Sequence, residues 1–271
     1  MKIGIFDSGF GGLSIYRSIR ETLPGYDYVY LGDNARTPYG NRSFEAIFKF
    51  STEGVRYLFS QQCGLIIIAC NTASAKALRT IQQKVLPAEY PDRRVLGIIR
   101  PSVEEIGRDT KTRTVALWAT EGTVKSMSFI LELEKFAPGV KLVQQACPML
   151  VPLVEAGEFE GPAVDYFVQK YWNDTARQAD GIDVLLLACT HYPLLLPCIR
   201  EAVPANIRIL VQGKIVADSL ADYLDRHPEI DEKLSRGGTQ HFLTTDQTEG
   251  FDRLAEMFLG HPVVSEKAEL N

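Results

Sequence analysis

Two uninterrupted apolar runs, LIIIA at 65–69 and VLLLA at 184–188, constrain the fold of this chain more than any other feature. Both have the size of buried strands. A strand with no polar residue to turn toward water belongs in a sheet covered on both faces. Further short, β-rich runs occur at 2–6, 28–31, 94–98, 113–118, 140–144 and 207–211. They alternate with segments of helical period at 12–22, 44–61, 73–85, 123–135, 162–176, 194–202 and 214–226. Such alternation is the pattern of βαβ units and a mainly parallel sheet, so the fold class is α/β.

The two runs also open matching stretches. LIIIACNTASA at 65–75 and VLLLACTHYPLL at 184–195 each read as a buried strand ending in Ala-Cys, then small polar residues, then a helix. This weak echo predicts two pseudo-symmetric lobes presenting matching strand ends. Pro-containing segments, GIIRPS at 97–102 and VPANIR at 203–208, are the expected connections between them. Lobe one is then discontinuous, 1–97 plus 208–271, with Asp7 and Cys70. Lobe two, 98–207, carries Cys189 and His191, and the active site is expected in the cleft between the lobes.

With 29 Lys+Arg against 34 Asp+Glu, a net charge of −5, the chain lacks the basic excess that phosphate-backbone binding needs. Nucleic acid is not the expected partner. No apolar run approaches the roughly 18–20 residues of a membrane helix, and the N-terminal MKIGIFDSGFGG does not read as a signal peptide. Five cysteines without a CxxC pair point to free thiols in a reducing cytoplasm.

In open parallel sheets ligands bind beyond the carboxyl ends of strands, where helix N-termini also point. Those positions hold Asp7-Ser8-Gly9, Gly32-Asp33-Asn34 leading into Thr37-Pro38-Tyr39-Gly40, Cys70-Asn71-Thr72 and Cys189-Thr190-His191. The GFGG cluster at 9–12 lacks dinucleotide-loop spacing and no phosphate loop is present, so a tight strand-to-helix turn accounts for it. Asp7 is either a carboxylate in use or, like Ser8, a candidate N-cap. Cys63, Cys147 and Cys198 read as small buried hydrophobes. Cys70 and Cys189 directly precede helices, where backbone N–H groups and the helix dipole favour thiolate. His191, two residues from Cys189, is either a core histidine or a proton partner for that thiol. The Cys and His residues lack the paired-ligand spacing of a zinc site, so no metal is expected.

A nucleophilic cysteine enzyme needs one thiol and a base. Two equivalent thiols suit different chemistry, in which one removes a proton from a carbon while the other delivers a proton from behind and so inverts the centre. The α-proton of an amino acid is weakly acidic, so this chemistry asks for excluded water and fixed donors.

GIFDSGFGGLS, YLGDNARTPYG, ACNTASA, ATEGTVKS, LVPLVEAGE and CTHYPLL, in this order, resemble the motif series of bacterial glutamate racemase, a cofactor-independent member of the aspartate/glutamate racemase superfamily. The likeness runs from residue 3 to about 260. It implies that Cys70 and Cys189 are the two acid/bases, assisted by Asp7 and His191 respectively. Glu155 is either an auxiliary charge or an ordinary helix-end carboxylate. Asp7, Ser8, Asn71, Thr72, Thr190 and His191, with Tyr39 and Gly40 and the nearby Pro38 and Thr123, fall on substrate-binding positions. The resemblance further implies no cofactor and no metal, a homodimer, and a supply of D-glutamate to peptidoglycan. The chain departs from many relatives at Gln212-Gly213, at Ala188 and around Arg100, without loss of a catalytic group. A racemase for aspartate and a two-lobed anion-binding module are the rival readings.

Overall fold

The computed structural model describes residues 1–270, which divide into two compact units. One is built from Met1–Ile98 and the chain from Gly213 on, the other from Ile99–Gln212. Among the described residues, every strand pairing in both is parallel.

The first unit holds a six-stranded sheet in the order β10-β9-β2-β1-β3-β4. Its strands are β1 (Lys2–Asp7), β2 (Tyr28–Gly32), β3 (Cys63–Ile68), β4 (Arg94–Gly97), β9 (Gln240–Thr244) and β10 (Ser265–Lys267). All six residues of β3 and all five of β2 are buried, as continuous apolar strands covered on both faces require. Phe6, Leu31, Val55, Ile66 and Ile68 lie in one core cluster. The helix Phe44–Ser60 is capped by Ser43, whose hydroxyl accepts the Ala46 N–H at 3.2 Å. It presses so closely on β1 that a Cβ on Gly54 would stand 2.3 Å from the Phe6 ring.

The second unit has a four-stranded sheet, β6-β5-β7-β8, made of β5 (Thr114–Ala119), β6 (Lys141–Ala146), β7 (Val184–Ala188) and β8 (Arg208–Val211). Trp118, Val168, Leu185, Leu187 and Ile199 fill one core cluster. The Trp118 indole N–H, which needs a partner once buried, finds the Thr175 hydroxyl at 2.9 Å.

Several expectations are corrected. Residues 208–212 do not join the first lobe: β8 pairs in register with β7, Leu185 opposite Ile209, and the chain changes unit after Gln212, whose side chain donates to Ser102 Oγ at 2.8 Å. GIIRPS is no bare connection either. A helix runs Ile99–Asp109 with Pro101 in its first turn, where no intrahelical N–H bond is lost. The helix expected at 123–135 is two, Glu121–Lys125 and Ser128–Phe136, because Met127 adopts a left-handed backbone with φ +57. The segment expected as one helix at 73–85 begins earlier and is broken into Asn71–Lys76, Leu78–Thr80 and Ile81–Val85. Strands β9 and β10 and the helices Leu150–Glu155 and Thr248–Leu259 have no counterpart among the elements expected from the sequence. Among the described residues, no helix is long and apolar enough to cross a membrane.

Candidate active site

In the first unit, β1 and β3 are neighbours, with Phe6 opposite Ile68 and the Ala69 N–H bonded to the Phe6 carbonyl at 2.8 Å. Asp7 and Cys70 therefore leave the sheet from adjacent strands. Asp7 is fully buried and its Oδ2 accepts the Gly9 N–H at 3.0 Å. A Cβ on Gly12 would lie 2.5 Å from Asp7 Cβ and 2.9 Å from the Tyr30 hydroxyl. The glycine at 12 is thus required by the close approach of the helix Leu13–Thr22 to Asp7. Tyr30 is buried beside them and donates to the Gly9 carbonyl at 2.8 Å. Burial, and after it the charges of Asp7 and Cys70, holds this phenol well above its ordinary value, so it remains a neutral donor.

Cys70 occupies the N-cap of Asn71–Lys76, its sulfur accepting the Ala73 N–H at 3.5 Å. That contact suits a sulfur anion better than a thiol. Ser74 Oγ donates to the Ile68 carbonyl at 2.8 Å and pins the turn. Asn71 and Thr72, the first helical residues, are buried, as is Ser8 after β1.

The segment 37–40 follows β2. Pro38 and Gly40 are partly exposed, and Tyr39 is buried with its hydroxyl bonded to Asp33. Asp33, itself fully buried, also accepts Arg36 Nε at 2.7 Å and the Thr245 hydroxyl at 2.9 Å. Arg36 continues to Glu53. Sequence reasoning misses this clamp: it finds Asp33 at a strand end but has no means of placing Thr245 beside it.

In the second unit, β5 and β7 are neighbours, with Ala119 opposite Ala188, and Cys189, Thr190 and His191 follow β7, all buried. The His191 ring has an ionisable neighbour at each end. Its Nδ1 lies 3.9 Å from Cys189 Sγ and its Nε2 lies 3.4 Å from Glu155 Oε1. Burial alone pushes the imidazole down, but hydrogen bonding to Cys189 and Glu155 overrides it and raises His191 to about 10. Thr123 is buried in Glu121–Lys125, and its N–H meets the capping hydroxyl of Thr120 at 3.3 Å. Glu155, ambiguous in sequence, is the residue the fold brings to His191.

All five cysteines are free. Burial pushes Cys63 up to about 12, and burial followed by the charge of Cys189 holds Cys147 well above its ordinary value. Both have no exposure, whereas Cys70 and Cys189 keep 6% and 7%. Cys198 is raised by burial and lies 3.6 Å from the Phe159 carbonyl.

The two strand-end arrangements occupy a chain with close relatives. A sequence model of the Asp/Glu/Hydantoin racemase family matches residues 3–219. A glutamate racemase of Paracoccus denitrificans is 38% identical over 278 residues, covering 99% of this chain and all of that protein. Among solved structures, glutamate racemase isoform RacE1 of Bacillus anthracis superposes with a TM-score of 0.90 at 30% identity, over 99% of this chain and 97% of that one. The Francisella tularensis glutamate racemase, solved in complex with D-glutamate, gives 0.87 at 29% identity, covering 100% and 98%. The chain belongs to the Asp/Glu/Hydantoin racemase family and, within it, to the glutamate racemases.

Proposed function

We propose that this enzyme interconverts L- and D-glutamate by proton transfer at Cα between two thiols, Cys70 and Cys189. One sulfur, as thiolate, takes the α-proton; the other, as thiol, returns a proton to the opposite face of the carbon. In the reverse direction the roles exchange. The observation that carries this reading is the equivalence of the two sites. Each thiol follows the strand next to the first strand of its unit, β3 beside β1 and β7 beside β5, and each has its own ionisable companion.

Asp7 assists Cys70, and His191, backed by Glu155, assists Cys189. Ser8, Asn71, Thr72, Thr123 and Thr190 supply hydroxyl, amide and backbone donors for the substrate's carboxylates, with Asp7 and His191 beside them. Segment 38–40 contributes backbone from Pro38, Tyr39 and Gly40, since the Tyr39 hydroxyl is already committed to Asp33. Fixed donors at the developing carbanion serve in place of an electron-sink cofactor, so the scheme needs neither cofactor nor metal. The proposal extends, on the likeness to glutamate racemases, to a cytoplasmic homodimer that supplies D-glutamate for peptidoglycan.

A circular-dichroism assay tests this directly. Purified protein inverts either enantiomer of glutamate and acts on aspartate at least about 10²-fold less well, as a site built for the longer side chain should. Tight binding of glutamate with no change in rotation would refute it.

A further inference from the structure

Tyr192 stands beside the thiol–imidazole pair but is absorbed by no role above. It is fully buried, it directly follows His191, and its hydroxyl donates to the Cys147 carbonyl at 3.1 Å. Burial, with the charges of Cys189 and Cys147 behind it, keeps the phenol well above its ordinary value, hence protonated.

The acceptor's position is informative. Cys147 is the first residue after β6, and its N–H is bonded to the Ala119 carbonyl at 2.8 Å. Its carbonyl also accepts the Leu150 N–H at 3.3 Å, the first amide of the helix Leu150–Glu155. A second phenol, Tyr171, accepts the Met149 N–H at 3.2 Å. Two buried hydroxyls thus hold the turn 147–149, and the short helix leaving that turn ends at Glu155, 3.4 Å from His191 Nε2. The ionisable groups facing His191 are Cys189 on its own turn and Glu155 on this helix. Cys189, Cys147 and Tyr171 surround Tyr192.

We infer that Tyr192 is a positioning residue for the second proton-transfer site: by anchoring the Cys147 carbonyl, from which the helix Leu150–Glu155 departs, it sets where Glu155 meets His191. The inference rests on the reading that Cys189 exchanges the α-proton, but its test needs no turnover.

The His191 imidazole is titrated by NMR in protein labelled at histidine. Tyr192→Phe keeps the ring and removes only the hydroxyl. It lowers the His191 midpoint by about one pH unit, a tenfold change in the proton equilibrium. Glu155→Gln lowers it at least as far, and the double variant goes no further than Glu155→Gln, because the tyrosine acts through the glutamate. The alkaline limb of kcat/KM moves with the midpoint while the KM for glutamate stays within about twofold. Thr175→Val, which unpairs the Trp118 indole of the same unit, lowers thermal stability and leaves the midpoint in place. An unmoved midpoint in Tyr192→Phe or in Glu155→Gln, or shifts that add in the double variant, overturns the inference. A wild-type protein that leaves glutamate unracemised breaks the functional reading instead, and the two failures are told apart.

Discussion

The strands β2-β1-β3-β4 of the first unit and β6-β5-β7-β8 of the second follow one topology, yet the sites they carry differ in chemistry. With Cys70 aligned to Cys189, the pairing of β1 with β3 and of β5 with β7 puts Asp7 in the place of Ala119, and Thr72 in the place of His191. The carboxylate on the first strand has no counterpart in the second unit, and the imidazole two residues past the thiol has none in the first. A shared scaffold fixes where the sulfur emerges; in the proposed scheme, a single side chain on a neighbouring strand or turn handles its proton. Two helpers of opposite charge type would suit the proposed scheme, in which the thiols alternate as base and acid on one carbon.

The comparison breaks most sharply at the thiols. Cys70→Ser and Cys189→Ser each lower kcat by at least about 10³-fold, since neither unit substitutes for the other. Full activity in either variant ends the equivalence. The helpers give a smaller effect. Asp7→Asn and His191→Asn each cost about 10–10²-fold in kcat, but only His191→Asn abolishes the alkaline limb: activity that needs protonated His191 falls as pH rises through about 10. The smallest effect is on stability. The folded His191 value lies above its ordinary 6.5, so folding favours the charged ring. That contribution is complete below pH 6.5 and fades as pH climbs to about 10. Thermal melts across this window fall more steeply for the wild type than for His191→Asn; parallel curves would show that the ring gains nothing on folding.

The sequence carries the skeleton of this picture and misses its joints. Eight of the strands announce themselves through apolar runs, and Cys70, Cys189, Asp7 and His191 stand at their ends. The strands β9 and β10, QHFLT and SEK, carry too few apolar residues to read as buried. Pro101 disguises a helix as a connection because a proline in a first turn looks, in sequence, like a stop. Glu155 could not be assigned to His191 without the turn at 147–149, and that turn is held by tyrosines 22 and 45 residues away along the chain. Interactions of that range leave no local periodicity.

Isotope exchange tests the two-thiol claim most directly. L-Glutamate is racemised in D2O to partial conversion and the enantiomers are separated and analysed. With distinct bases on opposite faces, the D-glutamate formed carries one solvent deuterium at Cα while the remaining L-glutamate keeps its protium. Deuterium entering the recovered L-glutamate as fast as the product would mean one base serving both faces, and would contradict the account.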